Sequence, residues 1–390
     1  MKKLIQIFFI SISVNTANAQ WSQFGTGPVI NTMLVTGTYP SNMIYLGLNN
    51  DGVVYSANYG TSWTGTSMNN YWLPTTASAF SIVQSGSKII AGTDFGIFVS
   101  GGPTCSYWTK IYSGGVSGTE IYSLAASGSK VFAGTEYGIY VSNSNGVNWS
   151  SCLSFSPPNI VNCIVIDGIN IYAGTTDGFY CSIDNGINWT LSTGVNNVRS
   201  IVTIDSLILV ATPNGIYRSV NNGVTWSGSN TGISNAFVTS LAINGQNIYA
   251  GSLGYGAFAS VDSGNTWSPF NNGLSTSALY IPIIVSEGQW LYAGTGDGVW
   301  RTSAYIGINE LGNRNLGVSI YPNPSTNKIY FRNLKIDNST VLTIVNIYGE
   351  KIIFTELTSP EINITNLPPS IYIVKIQNKV GLSLLKFLKE

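Results

Sequence analysis

Ile171-Tyr172-Ala173-Gly174-Thr175 decides the reading of this chain, because an apolar pair followed by Ala-Gly-Thr keeps returning along it. It recurs as Ile89-Ile90-Ala91-Gly92-Thr93, Val131-Phe132-Ala133-Gly134-Thr135, Ile248-Tyr249-Ala250-Gly251-Ser252 and Leu291-Tyr292-Ala293-Gly294-Thr295. Weaker copies are Ile44-Tyr45-Leu46-Gly47-Leu48 and Leu209-Val210-Ala211-Thr212. Seven copies lie about 37–45 residues apart, the period of a four-stranded propeller blade.

Around each copy the unit divides into four strands. In the fourth unit these are expected at Val161 to Ile166, Ile171 to Thr175, Phe179 to Ile183 and Trp189 to Ser192. Glycine or Asn/Asp-Gly turns separate them, the usual chemistry of tight hairpins. One such sheet exposes two faces and two edges, so it is stable only when packed between neighbours in a ring. The seventh unit stops after its third strand, Val299-Trp300-Arg301-Thr302, whereas Trp21-Ser22-Gln23-Phe24 resembles a fourth strand such as Trp267-Ser268-Pro269-Phe270. The N-terminal strand is therefore expected to complete the last blade of a seven-bladed β-propeller.

Composition agrees with an all-β fold. Charged residues make up 9% of the 390, against roughly 25% in average domains, and no long stretch has the apolar period of an amphipathic helix. Residues 21–304 carry 6 Lys/Arg against 11 Asp/Glu, a net of −5, and residues 305–390 carry 9 against 6, a net of +3. The change of sign suggests a boundary near residue 305. An acidic body without basic clusters argues against a nucleic-acid partner.

At the N-terminus, Lys2 and Lys3, the apolar run Leu4 to Val14 and Ala17-Asn18-Ala19 have the order of a cleavable signal peptide. No later segment reads as a transmembrane helix. The expected organisation is a signal peptide at 1–19, the propeller at 20–304, a linker at 305–315 and a small β-sandwich at 316–390. Four cysteines without a CxxC spacing give no zinc or redox motif. The strand reading puts Cys163 and Cys181 two strands apart, too far for a bridge.

A second motif lies between third and fourth strands. Ser182-Ile183-Asp184-Asn185-Gly186-Ile187-Asn188-Trp189 and Ser260-Val261-Asp262-Ser263-Gly264-Asn265-Thr266-Trp267 both read S-x-D-x-G-x-x-W. Ser142 to Trp149, Ser219 to Trp226 and Ser56 to Trp63 keep the Ser, Gly and Trp and replace the Asp with Ser144, Asn221 and Asn58. The motif resembles the Asp-box, or bacterial neuraminidase (BNR) repeat, of sialidase-like propellers. An oxygen at the Asp position can accept hydrogen bonds from the turn, Gly can adopt positive φ, and Trp can bury a large apolar surface. Ser182, Asp184, Gly186, Trp189, Ser260, Asp262, Gly264 and Trp267 are accordingly expected to be structural.

The tail carries Tyr321-Pro322-Asn323-Pro324, then Ile347-Tyr348-Gly349-Glu350-Lys351, Ile371-Tyr372-Ile373-Val374-Lys375 and Leu384-Leu385-Lys386-Phe387-Leu388-Lys389. These residues, with Gly349, Tyr372 and Lys386 as markers, resemble the type A sorting domain of the Bacteroidetes type IX secretion system. The family has Gly where this chain has Ser370. The resemblance implies engagement of the secretion machinery, passage through the periplasm, removal of the tail and a cell-surface or secreted product.

The chain contains no histidine, which removes Ser-His and Cys-His nucleophile systems and His metal sites. No cofactor and no metal site are expected. Sialidase-like chemistry needs clustered arginines, but the propeller holds only Arg199, Arg218 and Arg301. Two readings remain for the turns between second and third strands, which lie opposite the Asp-boxes. They present Asp51, Asp94, Glu136, Asp177 and Asp297, with Tyr137 and Tyr255 nearby. As a non-enzymatic surface they would bind a polysaccharide or protein partner; as a carboxylate pair across a cleft they would serve a glycoside hydrolase or lyase. The same Asp-Gly and Asn-Gly pairs also satisfy ordinary hairpin turns.

Overall fold

The computed structural model describes residues 20–25, 29–37, 43–58, 60–65, 77–233, 236–304, 318–346, 351–378 and 382–390. The expected signal peptide at 1–19, the linker at 305–315 and Gly349 lie outside them. Gln20–Ala304 forms one compact unit, and the described residues after Tyr305 belong to another.

Seven four-stranded antiparallel sheets build the first unit. Their inner strands, numbered here as sheets 1 to 7, are Ile30–Thr36, Ala79–Ser85, Ser123–Ser127, Val161–Asp167, Ser200–Ile204, Val238–Asn244 and Ile283–Glu287. Each inner strand packs against that of the next sheet, and the seventh returns to the first. The unit is a closed β-propeller. In sheet 4 the remaining strands are Asn170–Thr175, Phe179–Ser182 and Thr190–Ser192.

The repeated Ala-Gly-Thr phrase has a steric cause. A Cβ on Gly174 would stand 2.4 Å from a methyl of Val198, the buried residue two positions before the inner strand of sheet 5. Gly92 lies in the same way under Ile121, Gly134 under Val161 and Gly251 under Ile281. Gly294 of sheet 7 lies under Ile30 of sheet 1, so the same contact closes the ring. The following Thr caps the next turn. Thr93, Thr135, Thr175, Thr212 and Thr295 each donate Oγ1 to a glycine carbonyl three residues on.

Closure uses the N-terminal strand. Ser22–Gly25 pairs antiparallel with Gly298–Ser303, placing Ser22 opposite Arg301 and Gln23 opposite Trp300. Trp21 is 2% exposed and donates Nε1 to the Phe270 carbonyl of sheet 6 at 2.7 Å. Its backbone amide bonds the Asn272 carbonyl at 2.9 Å.

The second unit is a two-sheet β-sandwich. One sheet contains Ser319–Tyr321, Lys328–Arg332 and Glu361–Asn363. The other runs in the order Lys351–Glu356, Val341–Asn346, Ser370–Gln377 and Leu382–Lys389. Ile329, Leu342, Ile344, Val374 and Phe387 fill the core between them. Ser319–Tyr321 is a strand that the sequence reading did not include, and Ser370 begins a strand opposite Lys389 rather than occupying a turn. Tyr372 is buried, stacked on Phe387 with ring centroids 5.5 Å apart. Asn323 donates Nδ2 to the Lys386 carbonyl and accepts from the Leu388 amide, tying the Tyr321-Pro322-Asn323-Pro324 segment to the last strand.

Candidate ligand-binding face

The Ser-to-Trp turns establish which end of the propeller is which. Asn185 N–H bonds the Ile169 carbonyl and Asn145 N–H bonds the Ser129 carbonyl, so each of these turns lies beside its own sheet's first hairpin. In sheet 4, Asp184 Oδ1 accepts from the Asn188 and Ile187 amides and from Ser182 Oγ, while Ser182 Oγ accepts from the Gly186 amide. Those bonds, led by the Asn188 amide, hold the Asp184 carboxyl down at about 2. Asp262 and Ser260 repeat the pattern, with the Thr266 and Gly264 amides as donors. Asn58, Asn221 and Ser144 accept the equivalent amide in the variant turns. Positive φ is shared by two residues, since Asn185, Asn145, Asn222 and Ser263 join the glycines that follow them.

These turns also join sheets. A Cβ on Gly186 would meet the Phe132 ring of sheet 3 at 2.7 Å, and one on Gly264 a methyl of Leu209 in sheet 5 at 2.4 Å. Trp267 is buried and donates Nε1 to the Ser229 carbonyl of the preceding sheet, whereas Trp189 is half-buried and bonds the Gly186 carbonyl of its own turn.

The opposite end carries the turns between second and third strands, hydrogen-bonded to the connections between sheets. Asp94 N–H bonds the Ser78 carbonyl, Asn159 N–H the Glu136 carbonyl, and Asn197 N–H the Thr176 carbonyl. The seven residues singled out there have different surroundings. Asp297 is fully engaged: Oδ2 accepts from Ser275 and Ser277, and Oδ1 from Thr295 and Trp300 Nε1. Burial pushes its carboxyl up, but these four donors outweigh burial and hold it at about 2. Asp94 accepts from the Ser78 amide at 3.0 Å; burial raises its pKa, and the negative charge of Glu120 adds to the rise. Asp51 and Asp177 are exposed. The Asp177 backbone amide bonds Asn159 Oδ1, and its charge raises the pKa of Tyr180, which burial already raises. Tyr255 is exposed in sheet 6, and its carbonyl accepts from Asn271 of the connection that supplies Ser275 and Ser277 to Asp297.

Asp94, Glu136 and Tyr137 come together around two residues that the sequence reading missed, Glu120 and Tyr122. The Tyr122 hydroxyl donates to Glu120. Burial, that bond and the charges of Glu120 and Glu136 all raise the Tyr122 pKa. A hydrogen bond to Glu136 raises that of Tyr137. Tyr122 stacks on Phe80 of sheet 2, with centroids 6.0 Å apart and planes 18° apart. Among the described residues, Asp94, Glu120 and Glu136 have no ion pair.

The missing residues belong to a repeated position at the start of each inner strand. Strand register shifts at Asn31, Phe80, Asn162 and Thr239, each an extra residue between a buried side chain and the continuing strand. Such bulges re-aim a side chain. Asn31 reaches the Ala79 carbonyl, Asn162 the Val198 carbonyl and Thr239 the Ile281 carbonyl, all in the next sheet. Tyr122, Arg199 and Pro282 occupy the corresponding places in sheets 3, 5 and 7. The signal was positional, since residue type changes from blade to blade.

Among the described residues, no group of three His, Cys, Asp or Glu side chains is placed to hold a metal ion, and no helix is long and apolar enough to cross a membrane. The four cysteines are free thiols.

A propeller followed by a small sandwich is therefore the class of molecule, and the sandwich identifies its destination. Residues 319–390 match the secretion system C-terminal sorting domain family. The tail is a type IX sorting domain, and it directs the chain to the cell surface or beyond. No curated protein matches the chain. Among solved structures it resembles PorZ of Porphyromonas gingivalis, described as an essential surface component of the type-IX secretion system, at 14% identity and a TM-score of 0.54. That match covers 94% of this chain but 60% of the PorZ chain. YCF48 from Cyanidioschyzon merolae matches at 16% identity and a TM-score of 0.61, over 73% of this chain and 99% of that one. The extracellular domain of BT4673, a hybrid two-component system protein of B. thetaiotaomicron, matches at 17% identity and a TM-score of 0.60, over 83% and 45%. At these identities the likeness is one of fold.

Proposed function

We propose that the propeller is a non-enzymatic binding module, exported after loss of a signal peptide at 1–19, that takes a glycan or protein ligand on the face opposite the Ser-to-Trp turns. The observation that carries this reading is the stacked Phe80–Tyr122 pair, bordered by Glu120, Glu136, Tyr137 and Asp94, on adjacent inner-strand starts. Half-buried aromatic rings offer a flat apolar surface, and carboxylates that no cation neutralises can accept further hydrogen bonds from hydroxyl or ammonium groups. The Ser-to-Trp turns act in this reading as Asp-boxes with a structural role, because their oxygens are already used by the turns themselves. Asp51, Asp177 and Tyr255 form the outer part of the face, and Asp297 supports it from within.

A hydrolase or lyase reading is favoured by one feature, the Asp94 carboxyl raised by burial and by the charge of Glu120, since general acids are carboxyls whose pKa is shifted in that direction. A single experiment separates the two. The full chain is screened against polysaccharides and peptides for binding and for release of reducing ends, together with Tyr122→Ala and Glu120→Gln. The binding reading expects retention without turnover and a loss of about tenfold or more in affinity for Tyr122→Ala. Turnover abolished by Asp94→Asn would establish the enzyme instead. Binding unaffected by Tyr122→Ala and by Asp94, Glu136 and Asp177→Ala would exclude this face.

A further inference from the structure

The other end of the propeller carries a feature that its turn chemistry does not require. In the Ser-to-Trp turns of sheets 1 and 6 the residue after Gly braces the turn, Thr61 donating to the Asn58 carbonyl and Asn265 to the Asp262 carbonyl, whereas an aliphatic side chain there can make no such bond. At the positions after Ser and after Gly, sheet 1 has Ala57 and Thr61, sheet 3 has Asn143 at the first, and sheet 6 has Asn265 at the second. Sheets 4 and 5 instead place β-branched aliphatic residues at both. Ile183 is 68% exposed, Ile187 75% and Val224 71%, and Val220 is exposed beside them. Val147 of sheet 3 and Ile169, whose carbonyl accepts from the Asn185 amide, extend the patch.

The turns that carry these side chains are tied to the neighbouring sheets. Lys130 of sheet 3 donates Nζ to the Asn185 carbonyl of sheet 4, and Ser192 of sheet 4 donates to the Gly223 carbonyl of sheet 5. A grouping of large exposed aliphatic side chains on successive turns at one end of a soluble protein is uncommon and marks a contact with another surface. Its charges decide which kind. Asp167 and Asp205 are exposed in the first hairpins of sheets 4 and 5, and Asp184 lies between the aliphatic side chains. Lys130 and Arg218, which hydrogen-bond Asn185 and Asn265, are outnumbered by these three carboxylates. An acidic border repels an anionic lipid surface, and the net −5 of residues 21–304 disfavours a second copy of the propeller.

We infer that the aliphatic Ser-to-Trp turns of sheets 3 to 5 form a docking surface for a protein partner whose own contact patch is apolar with a rim of lysine or arginine. It is a separate contact from the proposed ligand face at the opposite end. Apolar burial supplies affinity, and the carboxylates select the sign of the partner's rim.

The test uses the full chain and a short synthetic peptide of alternating valine and lysine, with its valine–glutamate counterpart as control. The comparison protein is Ile183→Asn/Ile187→Asn/Val220→Asn/Val224→Asn, which introduces asparagine, the residue found at these positions in sheets 3 and 6, and leaves charge unchanged. Circular dichroism confirms that the variant folds. Saturable binding of the lysine peptide, weakened about tenfold or more in the variant and by added salt, with no binding of the glutamate peptide, is the expected result. Equal binding of both peptides, no binding of either, or binding that the variant retains would overturn the proposal. So would a wild-type dimer that the variant dissociates, or uptake by neutral lipid vesicles that the variant loses, because the occupant would then be a second copy or a bilayer.

Discussion

Gly174 shows how much a single hydrogen atom can specify. Only a side chain without Cβ lets Val198 of the next sheet close over the second strand, and Gly174→Ala is expected to lower stability by about 1–3 kcal/mol in chemical denaturation. At Ala211, the matching position of sheet 5, a methyl is accommodated, so the cost depends on the neighbouring sheet. The carboxylates divide by their partners in the same residue-by-residue way. Asp184 and Asp297 are held at about 2, below the ordinary 3.8. Each therefore contributes stability that is present above about pH 4 and is lost as pH falls toward about 2. Thermal melts should drop across that window, and Asp184→Asn should flatten the drop. Asp94 has the opposite sign, because its raised carboxyl opposes folding once ionised. At pH 7 Asp94→Asn should keep or raise the melting temperature, whereas Asp297→Asn should lower it.

At the scale of elements, the strands were legible wherever one residue type had one job. The Ala-Gly-Thr phrase located every second strand because Gly and Thr serve the same contact and the same cap in most blades. The S-x-D-x-G-x-x-W turns were legible for a similar reason, although the left-handed residue before Gly was not anticipated. The inner-strand bulges could not be read in this way. Asn31, Asn162 and Thr239 share a hydrogen bond to the next sheet, but Phe80, Tyr122, Arg199 and Pro282 share only their location with them, so Glu120 and Tyr122 stayed hidden while Asp94, Glu136 and Tyr137 were visible in their turns. The closing strand was legible from its Trp. Its contribution is measurable: Trp21→Ala removes a ring buried against Phe270 and should cost about 3–5 kcal/mol.

For the whole molecule, the sorting tail and the propeller divide the work. The tail provides the address, and its core is complete within its own two sheets. The ring provides two ends of different character: bulges and acidic hairpins at one, aliphatic Ser-to-Trp turns at the other. Both depend on the circle being closed, because an open array would expose the edge of Gly298–Ser303, release Trp21 from the Phe270 carbonyl and remove the Gln23 donor from the Asp297 carbonyl. Amide hydrogen exchange on the full chain, followed through the peptides spanning residues 21–25 and 298–303, tests that closure most directly. The account predicts that both segments are protected together and that Trp21→Ala accelerates exchange in both. Exchange at the rate of an unstructured terminus in residues 21–25, with residues 298–303 still protected in the wild type, would contradict it.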